Sequence, residues 1–430
     1  MIRITTIKEL CEFIWFLEDK YNLLDFEIDG VKVWQYKRMD IYYDLAQKLN
    51  ILTQPHGSIS KKEKVKKLFS FVKNSILYNP IFYFKKIDKL VIPHSRVKTV
   101  NNIQIDIYTH YFCEDLLTKN IKFLELETAL LGKHYTSKKK YRYYNDYIIL
   151  ASTLLNKFIS IKNPDLNKIS LVNNEIKNIL GKDYNLNLLF GKAVKKFKIE
   201  TKLYSHLLNK IKPKEIYLVV SYVANAPLIN AAKKQDIDVF EFQHGTFSKY
   251  HLGYSFPNRK SELDYFPNKF LVWNQFWKEI IDLPIHKDNI IINKFLYLEK
   301  EKEKYKKVQK IQNRAIVISQ GAISSKISQF ILNRWNIFKK FEIIYKLHPG
   351  EIDTYKNNKA LLDLNKKSNV TIDLKNDLYE LFLSSEYQIG VFSTAIYEGV
   401  DFGCKTILLD LPGIEYMDKF IKFHNIEVIK

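Results

Sequence analysis

A chain of 430 residues, 46 % hydrophobic and with 28 each of Tyr and Phe, exceeds what one core usually supports, so two globular domains are expected. It has no apolar run of bilayer-spanning length, no small-residue cleavage site near its start, and three scattered cysteines (Cys11, Cys113, Cys404) without metal spacing; a reducing, cytoplasmic compartment is the expectation. The formal charge of +21 suits an anionic partner or a simply solvated lysine surface, and the lack of a helix-turn-helix, zinc-finger or RNA-binding aromatic signature argues against nucleic acid.

In chain order, residues 1–85 read as a helical leader that opens on an amphipathic helix. Its last part, residues 61–89, mixes lysine clusters with Phe, Tyr, Leu and Ile. That pattern fits either a helix resting on anionic lipid headgroups or a core-facing helix with lysines outside. Residues 86–297 form the expected first α/β domain. A short strand at Lys89–Pro93 leads into His94-Ser95-Arg96, and a lysine-rich, mostly helical insertion occupies about 112–210. Strand Glu215–Ser221, helix Asn225–Lys234, strand Asp238–Gln243, strand Lys269–Trp273, helix Asn274–Asp282 and strand Asn289–Ile292 follow.

Leu298–Asn313 is charge-dense and reads as a solvated linker helix. It opens the second domain, 298–430, where strand Arg314–Ser319, helix Ile323–Lys339, strand Phe341–Leu347 and a helix near Thr354–Leu364 alternate. Val370–Asp373, Leu378–Leu383, Tyr387–Val391, Thr394–Phe402 and Thr406–Asp410 continue the rhythm. Strands separated by helix-length segments imply crossover connections and parallel sheets. The expected fold class is therefore α/β, with two Rossmann-like domains facing each other across a cleft.

In such sheets, ligands bind beyond the carboxyl ends of the strands, and the polar residues there are the candidates. His348-Pro349 follows a strand, with proline holding the preceding backbone extended, so His348 either donates to a phosphoryl oxygen or caps the strand end. Ser393-Thr394 opens a helix whose free N–H groups favour phosphate, or is an ordinary cap; Glu398, one turn on, is placed to accept from ribose hydroxyls. Gln320, Gly321 and Ser324 lie in a loop small enough for close approach to a diphosphate. In the first domain His244 ends a strand and is the first candidate for general base towards an acceptor hydroxyl, with Asp106 the second and Asp29 a lesser one. His94, Arg96 and Lys249 are candidates for holding an anionic acceptor. No DxD-like pair stands at a strand end, so neither a metal nor another cofactor is expected.

Taken together, Gln243-His244-Gly245-Thr246 with Lys249, Leu347-His348-Pro349, and Phe392-Ser393-Thr394 with Glu398 resemble bacterial transferases of surface-polymer synthesis. Their two-Rossmann arrangement is called GT-B. The likeness is to capsule-polysaccharide transferases, including users of CMP-linked acidic sugars, and to teichoic-acid transferases that use CDP-glycerol; it covers roughly residues 215–430. It implies His244 as the base and His348, Ser393 and Thr394 as donor-binding residues. Two departures are visible: Asn293-Lys294 stands where a glycine is frequent, and Phe247-Ser248 where the teichoic-acid enzymes more typically place Pro-Leu.

The resulting expectation is a metal-independent, inverting glycosyl transfer. The donor is a nucleotide sugar, with a CMP-linked acidic sugar favoured. The acceptor is a growing surface polysaccharide or its lipid-linked precursor at the inner membrane surface. A polyol-phosphate transferase sharing the donor site, and a non-catalytic basic binding protein, are the alternatives.

Overall fold

The computed structural model describes residues 4–52, 61–94, 97–100, 102–129, 134, 136, 139–161, 165–222, 224–259, 262–321 and 323–430. Arg96, expected to hold an acidic acceptor, lies outside them. By internal contact the chain divides into Met1–Lys294 and Phe295–Lys430.

In the first unit, β1 (Glu27–Ile28) and β2 (Val31–Lys32) form a small antiparallel hairpin, and so do β4 (Val97–Val100) and β5 (Ile103–Asp106). The main sheet is wholly parallel and consists of β3 (Lys89–Ile92), β6 (Phe123–Glu127), β7 (Arg142–Tyr144), β8 (Glu215–Val219), β9 (Asp238–Phe242), β10 (Lys269–Val272) and β11 (Ile290–Ile292). Its spatial order is β7-β6-β3-β8-β9-β10-β11. Counted from β3, this is the doubly wound order 3-2-1-4-5-6 with one strand added, and the winding reverses between β3 and β8. Apolar runs such as Leu90-Val91-Ile92 are buried on both faces, as strands covered by helices require. The 26-residue helix Leu186–Ile211, capped by Asn185, lays Tyr204, Leu207, Leu208 and Ile211 against that sheet.

Two expectations change here. The stretch 112–210 is not only helical, because it contributes β6 and β7. Both strands hide charge: the Arg142 guanidinium on β7 donates to Glu125 on β6 and lies beside Glu127, and all three side chains are buried. The leader is part of the first unit. Helix Ile7–Tyr21, started by a Thr6–Glu9 capping box, packs against helix Val33–Lys48 through a buried pair in which Arg38 Nε donates to Glu18 Oε1 at 2.6 Å. Arg38 also donates to the backbone carbonyls of Leu252 and, at 2.9 Å, Ser255.

The second unit has one parallel sheet of β12 (Ile311–Ile318), β13 (Glu342–Lys346), β14 (Val370–Asp373), β15 (Ser385–Gly390), β16 (Lys405–Leu409) and β17 (Glu427–Ile429). The order β14-β13-β12-β15-β16-β17 is again 3-2-1-4-5-6. Ala315, Val317, Ile343, Tyr345, Ile389 and Leu409 anchor its core. The expected linker helix belongs to this unit. Leu296–Lys304 buries Tyr297, Leu298 and Glu301, while Lys300, Glu303 and Lys304 lie at the surface. The fold class is thus α/β with two Rossmann-like units.

Candidate functional site

In the second unit the winding reverses between β12 and β15, and three strand-end loops meet there. Phe392 N–H, past β15, donates to Gln320 Oε1, past β12, at 3.1 Å. Ser319 Oγ donates to Glu351 Oε1, past β13, at 3.0 Å, and the other oxygen of this buried carboxylate accepts from His348 N–H at 3.0 Å. A Cβ added at Gly321 would stand 3.9 Å from His348 Nδ1, so the β12 loop runs alongside the imidazole. The structure therefore brings Gln320, Gly321, His348 and Ser393 to one edge of one sheet.

Their local chemistry is specific. His348 Nδ1 accepts from Gly350 N–H at 3.1 Å, which places the proton of the neutral ring on Nε2. The residue is exposed, so this N–H is available as a donor. Pro349 opens the following 3-10 turn and needs no N–H there. Ser393 caps helix Thr394–Asp401 by accepting from Ala395 N–H at 3.2 Å, with Thr394 exposed beside it and Glu398 one turn on, half-buried. The helix Ser324–Asn333 has no side-chain cap, and the Ser324 hydroxyl instead accepts from Asn358 Nδ2 at 3.3 Å. An uncapped N-terminus at the winding reversal leaves backbone donors for an anion.

In the first unit, the carboxyl ends of β3, β8 and β9 carry imidazoles and phenols. The His94 and His244 rings lie 6.1 Å apart. Tyr108 Oη donates to the His244 carbonyl at 2.7 Å. His244 Nδ1 is 3.1 Å from Tyr254 Oη, whose single proton goes to Glu241 Oε1. With that proton engaged, His244 Nδ1–H is the donor to Tyr254 Oη, and Nε2 is the ring nitrogen without a proton. Glu241 is fully buried in β9, and Oε1 also accepts from Ser221 N–H at 3.1 Å. Burial raises its pKa to about 7, against the pull of these hydrogen bonds.

The backbone at the end of β8 is strained. Val220 has φ +64°, unusual for a β-branched residue, and is followed by Ser221 and Tyr222 beside the cluster. Gly253 has no Cβ to collide with the Tyr222 ring, which would lie 2.5 Å from one. His251 bridges Thr246 and Tyr222, with burial lowering its pKa.

Asp106, expected as a second base, has another task. It is 2 % exposed and accepts from the N–H groups of His94, Tyr108 and Thr109 and from the Thr109 hydroxyl. Burial raises its pKa to about 6, but the carboxylate faces its own turn and holds Tyr108 and His94 in place. Lys249 lies over the Tyr250 ring, which stacks on Trp15 of the first helix. Asp29 is paired with Lys198 at 2.7 Å. Neither is directed towards His244 by any of these contacts. Glu241 and Tyr254 were not anticipated. A carboxylate inside the apolar run Val239-Phe240-Glu241-Phe242 was the available signal.

No protein-family profile matches the chain. An uncharacterized protein of Methanocaldococcus jannaschii, MJ1060, is 26 % identical over 194 residues, which are 41 % of this chain and 32 % of that protein. The chain thus spans about a third of the length of this relative. Among solved structures, the UDP-GlcNAc 2-epimerase of M. jannaschii is similar with a TM-score of 0.46 at 12 % identity, covering 79 % of this chain and 88 % of that one. The UDP-GlcNAc 2-epimerase of Neisseria meningitidis gives 0.42 at 14 %, covering 79 % and 91 %. MurG of Acinetobacter baumannii gives 0.39 at 11 %, covering 80 % and 85 %. Likenesses this distant carry no functional argument.

Proposed function

We propose that this chain is a nucleotide-sugar-dependent glycosyltransferase of GT-B type, in which the second unit holds the nucleotide phosphates and the first activates the acceptor. The observation that carries the reading is the joining of three strand-end loops where β12 and β15 diverge, with a neutral imidazole donor (His348 Nε2) and an uncapped helix at Ser324 beside it. Such an edge supplies hydrogen-bond donors to a diphosphate or phosphate leaving group, while the Glu351 carboxylate is taken up by Ser319 and the His348 N–H. Gln320, Gly321, Ser393 and Thr394 line it, and Glu398 is assigned to the ribose.

Catalysis then proceeds by direct displacement. His244 Nε2 takes the proton of an acceptor hydroxyl, and the freed oxygen bonds to the anomeric carbon. The bond from that carbon to the phosphate oxygen breaks, and the electron pair leaves with the phosphate. His348 and the helix N–H groups stabilise that charge. His94 is assigned to acceptor positioning. A CMP-linked acidic sugar as donor and a surface polysaccharide or its lipid-linked precursor as acceptor complete the reading.

Thermal shift with CMP, CDP, UDP and GDP tests the donor half. A ligand at a hundred times its Kd should stabilise the protein by about 2.7 kcal/mol. The shift should shrink in His348→Ala and Ser393→Ala. If no nucleotide raises the melting temperature, or both variants respond like the parent, the assigned roles fail. Comparing hydrolysis of CMP- and UDP-sugars with that of CDP-glycerol separates attack at carbon from attack at phosphorus.

A further inference from the structure

The first unit carries an apolar surface that its core does not cover. Helix Lys61–Leu77 exposes Phe69, Val72, Ile76 and Leu77, spaced as one helical stripe, and the short turn Pro80–Phe82 and the segment after it expose Phe82 and Phe84. Phe69, Ile76, Leu77, Phe82 and Phe84 are 59–80 % exposed, far beyond scattered surface apolars. Helix Asp146–Leu155, joined to this helix where Asn74 Nδ2 donates to Asp146 at 3.0 Å, also runs out into exposed Leu154 and Phe158.

The same stretch of sequence is rich in positive charge. Residues 61–89 hold nine lysines against two acids. Lys73, Lys85 and Lys86 are exposed and make no ion pair among the described residues. The Lys210 ammonium lies 4.1 Å from the Phe84 ring centroid, an apolar stem with its cation at the rim. A second copy of the chain would oppose lysine with lysine across such a face. Anionic headgroups over an acyl layer match both the charge and the apolar side chains.

We infer that this face docks the protein in the plane of an anionic lipid bilayer, with the Phe and Ile side chains entering the headgroup–acyl boundary and the lysines on the phosphates. The observations are independent of the nucleotide edge, and the docking holds whether or not the transfer reaction does.

The test is sedimentation of the full chain with vesicles of phosphatidylcholine alone and of an equal mixture with phosphatidylglycerol, without nucleotide. Binding should require phosphatidylglycerol and weaken with salt. Phe82→Ser with Phe84→Ser should weaken it at least about tenfold. Lys73→Gln, Lys85→Gln and Lys86→Gln should each weaken it about fivefold. Unchanged melting temperatures would show that these exposed substitutions leave the fold intact, and the lysine variants remain informative if the Phe pair does not fold. Equal binding to both vesicles, no binding, or indifference to the substitutions would overturn the inference. So would self-association without lipid that the Phe pair abolishes, since a second copy would then own the face.

Discussion

If His244 is the base proposed above, its activity depends on which ring nitrogen holds the proton. The chain His244 Nδ1–H to Tyr254 to Glu241 leaves Nε2 basic while Glu241 is ionised. Protonation of Glu241 removes that pull, and with its pKa raised to about 7 the change falls at neutral pH. Turnover should therefore rise through pH 7. His244→Ala should lower kcat roughly 10²- to 10⁴-fold. Glu241→Gln should lower it about ten- to a hundredfold and flatten the rise, while Tyr254→Phe should do both and shift the His244 ring-nitrogen resonances seen by NMR. A pH–rate profile of Glu241→Gln that keeps the parent's rise would remove the relay. Val220 makes a separate case: with φ +64°, Val220→Gly should relieve about 1 kcal/mol of strain, read as a higher urea midpoint.

Elements show what the sequence makes legible. The strands of the second unit are apolar runs set off by helix-length polar stretches, so β12 to β16 fall within a few residues of expectation. Val370–Asp373 falls on it. β6 and β7 escaped because Phe-Leu-Glu-Leu-Glu and Arg-Tyr-Tyr look like surface until Arg142 meets Glu125 and Glu127, a pairing that one-dimensional order does not reveal. Strand-end polar residues were readable as a group because a parallel sheet places them at one edge. The tasks of Asp106 and Lys249 were not, since each is decided by contacts made after folding. Element packing also explains Gly399: a Cβ there would stand 2.1 Å from Gln388 Oε1, and Gln388 itself donates to the Ile396 carbonyl and Thr406. Gly399→Ala should cost about 1–3 kcal/mol by overpacking, measured by denaturant unfolding, with the cap at Ser393 displaced.

Over the molecule as a whole, acidity and stability are linked through a buried charge cluster in the first unit. His134 stacks on Tyr144 and lies 3.1 Å from both Glu127 and Asp146, with Arg142 and Glu125 next to them. Burial opposes its charge, yet the two carboxylates raise its pKa from 6.5 to about 9. A base with a raised folded-state pKa adds stability that is complete below pH 6.5 and disappears as pH climbs through 9. The first unit should lose on the order of 2–3 kcal/mol across that window, and His134→Gln should abolish the dependence. Melting curves at intervals from pH 6 to pH 9.5 would decide it; a parent curve as flat as the variant's would refute the clamp.

The guanidinium of Arg38 has a reach that its position in the second helix conceals. It grips the main chain on both sides of Tyr254, 214 and 217 residues downstream, while Glu18 in the first helix keeps it aimed. Shortening the protein from its front end would thus unlatch the phenol that lies 3.1 Å from His244 Nδ1. Under the proposed reaction, a trimmed protein would keep nucleotide binding by the second unit and lose turnover.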